Sequence, residues 1–296
     1  MKKTVVIAGW IVVGILLLFV LVRVVFRARI EEGRSNAPLQ KRVELLRSAG
    51  SYGADSTDLC FTYTQDTLRA REIRTYFRLD TLLDPSAPTW ENTLALARFV
   101  ARNIPHANQQ VQPQTRNSTA LWEYHLHTEP AFNCRLHAIL LHELLLASDI
   151  VNRFVTCLPA DSLDSDCHVV NIVWLPEREK WAMIDSDQQA YAATPDGVPL
   201  SLAEMRSRYI AGEPIEYHAL LGEEEDFGDY RAYWAKNLYW FECWEQTGFD
   251  KEVGFEGRTV ALLPAGYGGF SFNRNEIPTT DAHRFWAAPA NGLQKQ

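Results

Sequence analysis

The chain carries no Cys-x-x-Cys pair, no Gly-Lys-Ser/Thr after its glycine-rich stretch, no internal repeat and no basic stripe. The first absence removes zinc sites built on that spacing. The second makes Gly266-Tyr-Gly-Gly269 a turn signal, not a phosphate loop. The last, with a formal net charge of −8, argues against nucleic acid as a main partner. Cysteine is sparse: there are five, and the first is Cys60, so an N-terminal lipidated cysteine is not expected. Aromatics are plentiful. Nine Trp, eleven Tyr and fourteen Phe in 296 residues point to a packed globule and away from disorder.

Val5 to Val22 form an uncharged run, with Lys2 and Lys3 before it and Arg23, Arg27 and Arg29 after it. That length suits a helix that spans a bilayer. A cleavable signal would have a shorter apolar core and a small-x-small site, but Val20-Leu-Val-Arg-Val-Val-Phe-Arg27 is bulky and basic. We expect an uncleaved membrane anchor over residues 1–30. A juxtamembrane and N-terminal region over 31–88 and a main domain with a C-terminal extension over 89–296 would follow. About 260 residues beyond the anchor suffice for one large core. The basic residues after the span favour a cytoplasmic domain. Met1-Lys-Lys3 reads instead as the start of an export signal. Large domains translocate largely regardless of charge, so an extracytoplasmic domain is expected.

Three residues carry the chemistry. Cys134 opens an apolar helical run to Leu146, preceded by Asn133; His168 opens the alternating strand His168–Trp174; Asp185 closes the strand Trp181–Asp185. The first N–H groups of a helix lack internal partners and the dipole is positive there. Both favour a thiolate and a nearby oxyanion. A thiol, an imidazole and a carboxylate in this setting form a nucleophile, a base and an orienting group for acyl transfer.

Strand arithmetic places the imidazole and carboxylate together. Pro176–Glu179 reads as a turn. If Leu175 pairs with Lys180, then Trp174 faces Trp181, Ile172 faces Met183, Val170 faces Asp185 and His168 faces Asp187. A slip of one residue would send both carboxylates to the wrong face. Spacing alone leaves Asp185 and Asp187 as candidates.

Phe132-Asn-Cys134-Arg-Leu-His-Ala138, Arg153-Phe-Val-Thr-Cys157-Leu-Pro159, Asp166-Cys-His168-Val-Val-Asn171 and Lys180-Trp-Ala-Met-Ile-Asp185 together resemble the transglutaminase-like superfamily, in particular bacterial transglutaminase-domain proteins. Weaker similarity runs from about Trp90 to Cys243. The resemblance implies Cys134 as nucleophile, His168 as base and Asp185, rather than Asp187, as orienter. It implies an α+β fold, transglutaminase-like or papain-like, with the nucleophile helix packed on an antiparallel sheet. It implies a peptide or protein substrate and no metal or organic cofactor. Two departures stand out. Phe132 lies where the family carries a small residue, which would narrow the approach to the thiol. Ser186-Asp187 replaces the family's Pro-Thr, which would put a spare charge beside His168. Both also fit an alternative, a catalytically silent scaffold at the membrane.

Other residues are read more plainly. His125 and His127 with Glu129 lack a third ligand at a convincing spacing and read as loop histidines; as ligands they would make a metal-dependent hydrolase. His137 lies one turn beyond Cys134 and reads, like His142, as a packed or exposed helical residue. Cys157 and Cys167 could pair or stay free. Asp161–Asp166 is an acidic loop that either gates the site or only connects strands. Thr89 is the expected cap of a helix over Trp90–Asn103, and Ser201 with Glu204 a capping box. Leu59–Tyr63 reads as a strand, and Tyr230–Trp244 as an aromatic core helix.

Overall fold

The computed structural model describes residues 37–222, 227–252, 257–268, 275–290 and 292–296. The expected membrane span, Val5–Val22, falls outside these, as do 223–226 of the acidic stretch before α7 and 269–274, which include the last glycine of the turn signal. Among the described residues no helix is long and apolar enough to cross a membrane.

Helices come first. Residues 37–48 form α1. After β1 (Thr62–Gln65) come α2 (Thr67–Phe77), α3 (Thr89–Asn103), α4 (Ser118–His127) and α5 (Cys134–Ala147). The strands β2 (Asn152–Leu158), β3 (His168–Leu175), β4 (Lys180–Ile184) and β5 (Ala190–Ala193) follow, then α6 (Leu202–Ala211), β6 (Glu216–Ala219) and α7 (Gly228–Asn237). The chain ends with β7 (Trp240–Trp244), β8 (Gln246–Thr247), β9 (Thr259–Leu262), β10 (Glu276–Thr279), α8 (Ala282–Phe285) and β11 (Gln294–Lys295).

Helix α5 is the hub. Asn133 caps it by accepting from the Leu136 N–H, the usual role of an asparagine at that position. Every residue from Leu136 to Ala147 is buried. The helix is apolar all round because it is sandwiched: β2 and β3 lie on one side, α2, α3 and α4 on the other. Leu140, Leu141, Leu144 and Leu145 are fully buried, so truncating any one to Ala costs about 2–5 kcal/mol. That packing fixes where Cys134 stands.

The main sheet runs β10-β9-β7-β2-β3-β4. It is antiparallel except at its outer edge, where β10 and β9 are parallel, so the expected all-antiparallel sheet is corrected there. Alternation divides β3 between two cores. Val169, Val173 and Leu175 face α5, whereas Val170, Ile172 and Trp174 face the core of α6, α7 and α8. Residues ahead of Thr89 share these cores: Ile73 and Phe77 join the first, Leu46 and Tyr63 the second.

Some expectations shift. Pro88, not Thr89, is the N-cap of α3, without a side-chain cap bond. The Ser201–Glu204 capping box is present on α6. The first strand lies at Thr62–Gln65 instead of Leu59–Tyr63. The aromatic stretch from Tyr230 splits: α7 ends at Asn237, and Trp240–Trp244 is a strand inside the main sheet. A short apolar aromatic run satisfies a buried strand as well as a helix.

Candidate active site

The β3–β4 register is set by the turn at Pro176–Glu179. Leu175 pairs with Lys180, Trp174 with Trp181 and Ile172 with Met183. The ladder stops one pair later, at Asn171 and Ile184. β4 ends at Ile184, and Asp185 folds the chain by accepting from the Asp187 and Gln188 N–H groups at 3.1 and 3.0 Å. The turn closes with Gln189 in the left-handed region at φ 55° and a bridge from Asp185 to Ala190. Asp187 is therefore not the cross-strand partner of His168. A short acidic side chain has bonded its own backbone two residues on, and this overrides the strand.

Asp185 takes the imidazole. His168 Nε2 lies 2.6 Å from Asp185 Oδ2, with both side chains about 1% exposed. The Tyr230 hydroxyl donates to the same oxygen at 2.8 Å. With the two backbone donors, Asp185 accepts four hydrogen bonds. The rings of Tyr233 and Trp234 stand edge-on to His168, with centroids 5.3 and 5.5 Å away. Tyr230, Tyr233 and Trp234 lie on one face of α7, at i, i+3 and i+4.

Burial alone would depress the His168 pKa. The Asp185 charge and hydrogen bond, with a further bond to the Cys134 side chain, outweigh it and hold the imidazole well above its ordinary value. Burial would likewise raise the Asp185 carboxyl, but the imidazolium and the surrounding donors hold it below the usual range. The pair is thus an ion pair, and the proton resides on histidine.

Cys134 is half-buried at the start of α5. Asn133 occupies the Leu136 N–H with its side chain and the His137 N–H with its carbonyl. The Cys134 and Arg135 N–H groups remain at the helix start. Cys134, His168 and Asp187 line one cleft of about 670 Å³, together with His106, Tyr230 and Tyr233. Asp185 sits behind His168, away from the cleft lining. Pro38 and Arg42 of α1 reach the same cleft.

Asp187 has its own partners. Its Oδ1 lies 2.8 Å from His106 Nδ1 and its Oδ2 accepts from Gln188 Nε2 at 3.0 Å. Phe132 does not narrow the cleft. It is fully buried, against Tyr124, His125 and His137. Phe132 therefore does not bear on access to the thiol, whereas Asp187 does stand beside His168, within 4.8 Å, with its oxygens on His106 and Gln188.

The acidic loop is tied to α7. Lys236 Nζ meets Asp164 and Asp166 at 3.0 and 2.7 Å, and the Tyr233 hydroxyl donates to the Cys167 carbonyl at 3.1 Å. The five cysteines are free thiols. Burial pushes Cys157 well above the ordinary thiol range, and Cys167 upward.

His125 and His127, read as loop histidines, lie in the last turn of α4, and they do not gather with Glu129. His125 bonds the Pro130 carbonyl, His127 pairs with Glu123, and Glu129 accepts from the Gln110 and Val111 N–H groups. Among the described residues the one grouping of metal-type donors is His168, Asp185 and Asp187, within 4.8 Å of one another. His168 and Asp185 engage each other, and the Asp187 oxygens are taken by His106 and Gln188. The sequence carried no signal for His106. For the α7 tyrosines the signal was their shared helical face.

No family model and no curated protein matches the chain. Solved structures align with about half of the chain. A putative cysteine protease from Cytophaga hutchinsonii aligns over 53% of this chain and 53% of its own, with a TM-score of 0.32 and 15% identity. A putative protease from Parabacteroides distasonis aligns over 50% of this chain and 26% of its own, with a TM-score of 0.28 and 14% identity. The chain thus spans about half the length of the first and a quarter of the second.

Proposed function

We propose that this chain is a transglutaminase-like thiol enzyme that cleaves or transfers acyl groups from peptide or glutaminyl amides. The observation that carries the reading is the buried 2.6 Å His168–Asp185 pair behind a helix-start cysteine in an open cleft. The Cys134 sulfur attacks the amide carbonyl and forms a C–S bond. The tetrahedral oxyanion sits at the α5 start, where the Cys134 N–H donates to it. The C–N bond breaks as the His168 imidazolium gives its proton to the leaving amine. Asp185 holds Nε2, which leaves Nδ1 for the sulfur and the leaving group. Water or an amine then resolves the thioester. No step calls for a metal or organic cofactor. The uncharged run Val5–Val22 supports a tether that presents the domain at a membrane surface.

The test uses the exposed Cys60 as an internal control. At neutral pH, Cys134 should react with iodoacetamide at least tenfold faster than Cys60, as an activated thiolate does. His168→Ala should erase that difference. Equal rates in the wild-type protein would sink the proposal.

A further inference from the structure

Most charged groups that line the cleft have a partner. His168 faces Asp185, His106 faces Asp187, and Asp166 faces Lys236 Nζ at 2.7 Å. Arg42 lines the same cleft with Cys134 and His168. It is half-buried, and among the described residues it makes no hydrogen bond and no ion pair. The acid it influences is Asp164, which the Asp166 N–H and Lys236 chiefly hold low; the Arg42 charge adds to this from beyond contact. The lining also holds Asp229, which is exposed on the first turn of α7. Water solvates that carboxylate, and the helix dipole favours an anion there. Arg42 has neither support. Its guanidinium carries five N–H donors in a planar fork and no acceptor.

The docking of α1 puts Arg42 in this place. Leu39, Val43 and Leu46 recur at i, i+4 and i+7 and pack against the core of α6, α7 and α8. Arg47 Nε donates to the Ile210 carbonyl at 2.9 Å and ties the end of the helix to α6. Pro38 and Arg42, one turn apart, are then left to line the cleft. A second groove of about 600 Å³ shares these two residues and continues along Lys41, Lys236 and Tyr239. Arg42 thus stands where the two hollows meet, so an extended substrate with its amide at Cys134 has room to pass it.

We infer that Arg42 is a specificity-determining residue that binds a carboxylate on the substrate close to the reacting amide. The inference rests on the thiol-enzyme reading and gives it a substrate class, acidic peptides. A planar fork and a carboxylate form two parallel charge-assisted hydrogen bonds, which fix orientation as well as adding affinity. The carboxylate belongs to an Asp or Glu side chain or to a free chain terminus, since the chemistry that Arg42 reads is the same in both. Binding it would satisfy the donors that the protein itself leaves unused, and would set the neighbouring carbonyl against the thiol.

The probes are chloroacetyl peptides, from which the Cys134 sulfur displaces chloride. Chloroacetyl-Ala-Glu-amide is compared with its neutral isostere, chloroacetyl-Ala-Gln-amide, and with chloroacetyl-Ala-Lys-amide. Chloroacetyl-Ala-Ala with a free carboxylate is compared with its own amide. Labelling of the full-length chain is followed by peptide mass spectrometry, with Cys60 as internal control. At least one carboxylate probe should label Cys134 about tenfold faster than its neutral counterpart, the worth of a hydrogen bond to a charged group. A gain with the Glu probe alone would mark an acidic side chain as the anion, and a gain with the free terminus alone an α-carboxylate. Arg42→Gln should bring the carboxylate probes down to the rate of the neutral ones. Arg42→Lys, which keeps the charge but not the fork, should retain part of the gain. Added salt should shrink it. Equal rates for acidic and neutral probes, at a Cys134 that outpaces Cys60, would overturn this inference alone. So would a preference for the Lys probe, or a loss in Arg42→Gln as large for neutral probes as for acidic ones. A Cys134 that outpaces Cys60 with none of the probes would overturn the thiol-enzyme reading and the inference with it.

Discussion

His168 and His137 are each about 1% exposed and each lie beside an aspartate, yet their charge states diverge. At His168 the carboxylate is 2.6 Å away and wins over burial. At His137 the nearest carboxylate oxygen, on Asp187, is 3.6 Å away. Its ring nitrogens make no hydrogen bond of good geometry, only a loose approach to the Pro105 carbonyl. Burial dominates, and His137 is held below the ordinary histidine value. The other difference is exclusivity. Asp185 serves one imidazole and is pinned by two backbone amides and Tyr230, whereas Asp187 is nearer to His106 than to His137. Proximity to an acid does not make a buried histidine a cation. A direct, unshared hydrogen bond does.

Removing the unshared carboxylate is the strongest way to break this comparison. Asp185→Ala should cut turnover about 10³–10⁴-fold, as loss of an orienting carboxylate does. It also leaves an imidazolium buried without a partner, which costs about 3–5 kcal/mol. Asp185→Asn keeps the shape and separates the two effects. Asp187→Ala should lose at least tenfold less activity than Asp185→Ala in the same acyl-transfer assay. Equal losses, or the reverse order, would return the orienting role to Asp187.

Titration sharpens the same contrast with a smaller effect. The folded pKa of His168 is raised, so its contribution to stability is full below the unfolded value of about 6.5 and is lost as pH rises through the folded value. The folded pKa of His137 is lowered, so its contribution is full above about 6.5 and is lost as pH falls. Urea unfolding across pH should therefore show His168→Gln flattening the alkaline limb and His137→Gln the acid limb. A tenfold difference in proton affinity between the folded and unfolded chain corresponds to about 1.4 kcal/mol of stability. Ring resonances in NMR should show His168 still charged, and His137 still neutral, on crossing about pH 6.5. Two rings titrating together there would contradict the assignment.

Much of the back of the cleft was legible in the sequence. The order Cys134, His168, Asp185 and the pairing of Leu175 with Lys180 follow from a helix start, a turn and period-2 alternation. The predicted His168–Asp187 apposition failed because Asp185 bonds its own backbone and ends the strand. That choice between ladder and turn is local and leaves no trace in apolar periodicity. The front wall was harder to read. Tyr230, Tyr233 and Trp234 look like core aromatics until α7 is placed beside β3. His106 is tied to the site by a bridge to Phe132 that only the tertiary fold creates.

The front wall supplies the two finer tests. Tyr230→Phe removes one donor from Asp185 and leaves its other three. A hydrogen bond to a charged group is worth about 1.5–3 kcal/mol, so turnover should fall about tenfold and the Asp185 carboxyl should titrate at higher pH, having lost one of the donors that hold it down. An unchanged titration would mean that the carboxylate needs no third kind of support.

Lys236→Met should do least. Lys236 is 13% exposed and bridges Asp164 and Asp166, of which Asp166 is 63% exposed. With the acidic ends at the surface, such pairs contribute about 0–1 kcal/mol, so global unfolding should barely move. Its effect should be local, because the Tyr233 hydroxyl that meets the Cys167 carbonyl belongs to the ring that encloses His168. Loosening the loop should speed protease nicking between Pro159 and Cys167. The alkylation rate of Cys134 should change by less than about threefold, since the charge of His168 depends on Asp185 and not on the loop. A larger change would mean that the shelter given by the front wall, and not the bond at the back, sets the state of the thiol.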